Sequence, residues 1–301
     1  MTVSGLPFSG ECASDAGTRA TRGTVTLLLM CPPSDVSTWL PEVERLARDA
    51  GDLLMSRFGQ GVAVELKGEI DLVTEMDRRS EELIVERLAR EFPGTSILAE
   101  EGERSSDTGS GLWIVDPLDG TTNYAHGFPV FAVSIAFERA GVIELGLVFD
   151  PTRQECFAAA RGRGATCNGH PIRVTTRREL GEALLATGFP YDIRTSPGNN
   201  LAEFSRFALR ARGIRRAGAA ALDLACVAAG RFDGYWESKL APWDVAAGSL
   251  LVTEAGGTLT GYAGEPVAIR TGRLVASNGL IHGAMLATLA ESISDPISPG
   301  R

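Results

Sequence analysis

From residue 37 onward the chain alternates helical periodicity with short apolar runs. Val43, Leu46, Ala47, Ala50, Leu53, Leu54 and Phe58 recur at helical spacing behind Pro41, which predicts an amphipathic helix ending at Gly59. A short strand over 62–67 precedes a second helix from about Asp77, with Leu83, Ile84 and Leu88 inward and Pro93-Gly94 as its stop. Residues 96–99 and 112–115 read as strands, and 130–137 and 142–149 alternate as a hairpin turning at 138–141. A third strand lies near 154–159, and the Gly-rich stretch 161–169 reads as a loop. Neighbouring strands of this kind predict an antiparallel sheet in the first half.

The second half alternates differently. Strands are predicted at 183–187, 213–216, 232–236, 258–260 and 274–277. Helices are predicted at 201–211, 219–229, 243–255 and 281–291, the third closed by Gly256-Gly257. That order predicts a sheet flanked by helices. No sharp linker separates the halves, taken as 37–180 and 181–293, with 294–301 as a tail. Residues 1–36 differ, being rich in Gly, Ser, Thr and Pro. Their one apolar run, 25–31, is too short to span a membrane. Arg19, Arg22 and Cys31 give it a faint likeness to a secretion signal, but Met30 fits poorly before a cleavage point. The segment is read as a disordered extension, or as a start assigned too early with Met30 as the true one.

Composition narrows the classes. The 301 residues are 44% hydrophobic and 22% charged, ordinary for a soluble globular protein. A formal net charge of −9 disfavours nucleic-acid and acidic-membrane partners. The five cysteines form no C-x-x-C pair and are odd in number, which predicts free thiols in a reduced, cytoplasmic setting. The three histidines lack H-x-x-x-H spacing, so a zinc site is not expected.

The candidate chemistry centres on residues 113–123, Trp-Ile-Val-Asp-Pro-Leu-Asp-Gly-Thr-Thr-Asn. An apolar strand ends there in two carboxylates, Asp116 and Asp119, followed by Gly120 and Thr121. Carboxylates followed by exposed backbone N–H groups suit a divalent cation beside a phosphate, since Mg2+ prefers hard oxygen ligands and keeps substrate phosphate among them. A turn with an Asp at a helix cap is the plainer reading. Three further positions carry acids: Asp77 and Asp244 at the fronts of helices, and Glu100-Glu101 at a strand end. Helix-dipole preference explains Asp244 alone, and solvated edge charge explains Glu100-Glu101.

Taken together, the motifs resemble the inositol monophosphatase family, lithium-sensitive Mg2+-dependent phosphomonoesterases related to fructose-1,6-bisphosphatase. One family motif, W-[IV]-x-D-P-[IL]-D-G-T-x-N-[FY], is matched by residues 113–124, and W-D-x-A-A-G…E-A-G-G by 243–248 and 254–257. Shorter matches lie at 72–77, at 98–102 (with Ala99 where the family often has Gly), at 218–223 and at 234–237. The resemblance runs from about residue 37 to 291 and implies a layered α-β-α-β-α sandwich, usually a homodimer. It implies one Mg2+ held by Glu100, Asp116 and the Leu118 carbonyl, and a second held by Asp116, Asp119 and Asp244. A third, weaker ion near Glu100 is implied for some members. Glu100, supported by Thr121 and Asp77, would orient and deprotonate the attacking water, and the N–H groups of Gly120 and Thr121 would bind phosphate. Two ions about 3.5–4 Å apart can serve both the attacking and the leaving oxygen.

On the alcohol side, the resemblance implies Glu237, the backbone around Ala220, and also Asp119 and Asp244; Lys67 is a weaker candidate near the metals. A carboxylate such as Glu237 accepts from neighbouring hydroxyls, which suits a polyol. An exposed strand-end Glu is the alternative. Ala219 stands where some relatives carry Ser, and no metal-binding position departs from the family pattern. The implied reaction is release of phosphate from a small polyol phosphate, foremost inositol-1-phosphate, without a phosphoenzyme. Fructose-1,6-bisphosphate, histidinol phosphate and a 3′-phosphonucleotide are alternative substrates, and a non-catalytic scaffold is a further class. An aspartyl-nucleophile phosphatase would carry D-x-D-G-T; here the spacing is D-x-x-D-G-T.

Overall fold

The computed structural model describes residues 35–60, 64–66, 72–102 and 110–291. The readings of the extension up to residue 34, of residues 61–63, of Lys67 and 68–71, of the loop 103–109 and of the tail from 292 lie outside these. In chain order the first half comprises α1 (Leu40–Met55), β1 (Val64–Leu66), β2 (Leu72–Thr74), α2 (Glu75–Glu91), β3 (Ser96–Ala99), β4 (Leu112–Asp119), α3 (Thr121–Ala125), β5 (Ala132–Arg139), β6 (Val142–Asp150), β7 (Glu155–Ala160), β8 (Ala165–Cys167) and β9 (His170–Pro171). The second comprises β10 (Leu184–Thr187), α4 (Leu201–Ala208), β11 (Gly213–Arg215), α5 (Ala220–Ala228), β12 (Gly234–Ser238), α6 (Pro242–Glu254), β13 (Thr258–Thr260), β14 (Arg273–Ser277) and α7 (His282–Ala290).

Strands β3 to β9 form one seven-stranded sheet in chain order, antiparallel apart from the β3–β4 pair. The second sheet has the order β11-β10-β12-β14-β13, parallel across its first three strands and antiparallel through β14. Strands β1 and β2 pair separately.

The two-residue side-chain period of each strand sorts the core into layers. On β4, Trp113 and Val115 join Leu46, Ile84 and Leu88 of α1 and α2 on one face, whereas Ile114 joins Leu224 and Leu251 of α5 and α6 on the other. The second sheet divides likewise. Tyr235, Leu274 and Ala276 complete the central layer, and Leu185, Trp236 and Val275 pack outward on Phe207 of α4 and on Met285 and Leu289 of α7. The result is the α-β-α-β-α order that the resemblance implied. Helices α5 and α6 lie between two sheets, so both are mostly apolar and rich in Ala. Each large side chain buried in these layers contributes roughly 1.5–3 kcal/mol.

Some boundaries differ from the periodicity. Helix α1 stops at Met55 rather than Gly59, and a 3-10 turn over Val36–Trp39, capped by Asp35, leads into it. Within the stretch read as a loop, β8 pairs with β7 through Ala159↔Ala165 and Phe157↔Cys167. Three residues are too few for a pattern to register, and the strand is made by its partner rather than by local preference. Cys156, Cys167 and Cys226 are free thiols, and among the described residues no helix is long and apolar enough to cross a membrane.

Candidate active site

An irregularity in β4 makes its two carboxylates neighbours. Strand residues three apart point to opposite faces. Asp116 pairs with Ser134 of β5, but Asp119 pairs with Ala132, so three steps on β4 oppose two on β5. Pro117 has no N–H with which to continue the ladder, and the one-residue bulge returns the second carboxylate to the side of the first. Both then line one cleft of about 270 Å³, together with Glu100, Thr121, Glu237 and Asp244.

Backbone donors hold three of these acids. Asp116 Oδ1 accepts the Leu118 N–H at 3.0 Å. Asp119 accepts from the first turn of α5, Oδ1 from Ala220 N–H at 3.1 Å and Oδ2 from Ala221 N–H at 2.8 Å. The backbone around Ala220, expected on the alcohol side, thus has its Ala220 N–H engaged by Asp119, and Ala220 lines the cleft. Asp244 Oδ2 accepts the Ala241 N–H at 2.7 Å and so caps α6. The helix-front reading of Asp244 thus holds, and the same side chain also faces the cleft.

Asp77 behaves similarly but stands behind the cleft wall. It caps α2 by accepting Thr74 N–H at 2.8 Å and Thr74 Oγ1 at 2.6 Å, and Thr121 Oγ1 lies 2.8 Å from its Oδ1. Thr121 Oγ1 also lies 3.1 Å from the Leu118 carbonyl, the oxygen expected to face the metal. Gly120 joins β4 to α3 at φ +95°, where a Cβ would stand 2.9 Å from the Val130 carbonyl oxygen. Only glycine suits that left-handed, crowded position.

Two residues that the sequence reasoning missed extend the grip of α2 on the site. Ser80 Oγ donates to the Pro117 carbonyl at 2.9 Å, and Glu81 Oε2 accepts the Glu101 N–H at 2.7 Å. With Asp77, they form a polar stripe at i, i+3 and i+4, two members bonded to the end of β4 and the turn after it, and the third just beyond β3. Ser80 and Glu81 are both buried on the α2 face that also carries Met76, Ile84 and Leu88.

Electrostatics follow from burial. It pushes the Asp116 carboxyl well above its ordinary value, with Glu100, Asp119 and Asp244 adding repulsion. Burial likewise raises Asp119 to about 7 against the stabilising α5 N–H groups, and raises Asp77. Glu237 is pushed up to about 7 by burial, although the Tyr235 hydroxyl donates to its Oε2 at 2.6 Å. Asp223 of α5 is buried and raised as well, with Glu237 and Asp119 nearby.

Among the described residues, no three His, Cys, Asp or Glu side chains are already gathered into a coordination cluster. The donor set nonetheless fits a hard cation. Glu100, Asp116, Asp119 and Asp244 line one cleft with Leu118, and the backbone bonds of Asp116, Asp119 and Asp244 leave further lone pairs on each carboxylate. Mutual repulsion at Asp116 is what a bound divalent ion would relieve.

Comparison with known proteins agrees with this fold. The sequence profile of the inositol monophosphatase family matches residues 35–295, and the chain belongs to that family. It is 44% identical over 260 residues to the inositol-1-monophosphatase of Synechocystis sp., covering 86% of this chain and 91% of the relative. It is 46% identical over 252 residues to Nus factor SuhB of Pseudomonas aeruginosa, covering 81% and 93%. The crystal structure of extragenic suppressor protein suhB from Bartonella henselae superposes with a TM-score of 0.81 at 41% identity, covering 85% of this chain and all of that one.

Proposed function

We propose that this chain is a Mg2+-dependent phosphomonoesterase that releases phosphate from a small polyol phosphate, foremost inositol-1-phosphate. The observation that carries the reading is the single cleft, in which Glu100, Asp116, Asp119 and Asp244 share the walls with Glu237. The name of the Synechocystis relative supports the substrate, while the relatives named Nus factor SuhB carry no substrate in their names.

Glu100, Asp116, Asp119, Asp244 and the Leu118 carbonyl would hold Mg2+. Bound there, it would polarise the phosphate oxygens and stabilise the leaving alkoxide. Glu100 takes the proton of the attacking water, and the Thr121 hydroxyl, aimed by Asp77, orients that water. The backbone at Gly120 and Thr121 receives the phosphate on the same wall. Glu237 accepts hydroxyls of the alcohol. Asp116, only 2% exposed and held by the Leu118 N–H, serves better as a fixed anionic anchor than as a nucleophile.

A panel of inositol, sugar, histidinol and nucleotide phosphates, assayed for phosphate release with Mg2+, tests the reading. Inositol-1-phosphate should show the highest kcat/KM. A clear preference for another ester would move the substrate, and no release from any would refute the activity.

A further inference from the structure

Glu237 lies at a strand end where a glutamate side chain ordinarily has several rotamers open to it. Here two neighbours define its place. Tyr235, fully buried in the central layer, donates its hydroxyl to Glu237 Oε2 at 2.6 Å. On the other side stands Gly188, the first residue after β10, which shares the cleft wall with Glu237. A Cβ built on Gly188 would overlap both carboxylate oxygens of Glu237. The carboxylate therefore occupies the volume that any other residue at 188 would fill.

The Gly188 backbone is not free to retreat. Its carbonyl accepts Asn200 Nδ2 at 2.6 Å, and Asn200 Oδ1 accepts Trp236 Nε1 at 2.8 Å. Thr187 Oγ1 donates to the Trp236 carbonyl at 2.6 Å and accepts Asn200 Nδ2 at 2.9 Å. This buried network staples the end of β10 to the residue preceding Glu237. Networks satisfied in this way rigidify their surroundings. If the two groups at 188 and 237 compete for space, the backbone holds and the glutamate tip swings.

We infer that Gly188 and Tyr235 are positioning residues that set alcohol specificity by parking Glu237 where it meets the hydroxyls flanking a polyol phosphate ester. The inference rests on the phosphatase reading above. It goes further by locating selectivity in a missing side chain rather than in a contact with substrate. A small ester without flanking hydroxyls makes no use of a parked Glu237. A polyol ester loses a hydrogen bond to a charged group when the carboxylate moves.

The variants are Gly188→Ala, Tyr235→Phe, and Gly188→Ala in a Glu237→Ala background. Gly188 is not among the residues with positive φ, so alanine brings no backbone strain, and the group it displaces is a flexible side-chain tip. With Mg2+ present, KM is measured for inositol-1-phosphate and for phenyl phosphate. In Gly188→Ala the ratio of the two KM values should rise roughly tenfold, the size expected for a lost charge-assisted hydrogen bond. Tyr235→Phe should move the ratio the same way. In the Glu237→Ala background the alanine at 188 has nothing to displace and should change the ratio by less than about twofold, a non-additivity that a general folding defect would not produce. Proportionate changes in both KM values, or full additivity with Glu237→Ala, would overturn the inference while the phosphatase reading stands. A wild-type protein that turns over neither ester would overturn both.

Discussion

The Thr121 hydroxyl lies 2.8 Å from Asp77 Oδ1, joining the turn after β4 to the carboxylate that caps α2. Through this bond, the group that finishes a helix also aims a side chain into the cleft. Thr121→Val keeps the shape and removes the hydroxyl. Phosphate release should fall about 100-fold or more in kcat, the scale of a lost proton-handling group, with KM nearly unchanged. Steady-state kinetics on inositol-1-phosphate checks this, and an unchanged kcat would remove Thr121 from the chemistry.

Glu81 lies behind the Glu100-Glu101 turn and accepts the Glu101 N–H at 2.7 Å. Groups that orient metal ligands typically contribute 10–100-fold to metal affinity. Glu81→Ala should therefore weaken Mg2+ binding by roughly tenfold or more. Glu81→Gln, which keeps an acceptor oxygen, should recover much of that loss. Titration calorimetry of Mg2+ into each protein reads this without turnover, and equal affinities in all three would contradict the role.

The raised Glu237 value has a defined sign. Its folded pKa of about 7 stands above the ordinary 4.5, so the acid form persists up to about pH 7 and the carboxylate prevails only beyond it. The protein holds an extra proton between 4.5 and 7, and this group's contribution to stability falls as pH rises through that window. An acid keeps less acceptor capacity than a carboxylate. KM for inositol-1-phosphate should therefore fall as pH rises through about 7, more steeply than KM for phenyl phosphate, which shares the titrations of the phosphate and of Asp119 but makes no use of Glu237. In Glu237→Gln the two profiles should run parallel. Parallel profiles in the wild type would place Glu237 outside the alcohol site.

Much of this was legible in residue order because it depends on short-range pattern. The strand ending at Asp116, the helix behind Pro41, the helix closed by Gly256-Gly257, and the hairpin near Gly141 each announce themselves by period or by turn chemistry. The D-P-L-D spacing also carried information, since Pro117 breaks the ladder and brings Asp116 and Asp119 to one side. Other features arise only from packing. β8 exists because β7 offers it partners, and Asp119 is held by N–H groups more than 100 residues away in sequence, on Ala220 and Ala221. Ser80 and Glu81 look like ordinary helix surface until the buried face of α2 is known. Gly188 left no signal, because its role is the space it leaves to Glu237.

Asp119 and its neighbouring acids should make phosphate release depend on Mg2+. The direct measurement is phosphate release from inositol-1-phosphate, with Mg2+ and with the ion chelated, for wild type and Asp119→Asn. The amide that replaces the carboxylate keeps a side-chain oxygen for an α5 N–H, so circular dichroism should find the fold intact. Turnover is expected in the wild type only with Mg2+, with a loss of at least about 100-fold in the variant, the scale on which catalytic electrostatic groups act. Equal turnover with and without Mg2+, or an Asp119→Asn enzyme as fast as wild type, would show that these acids do not work through the ion.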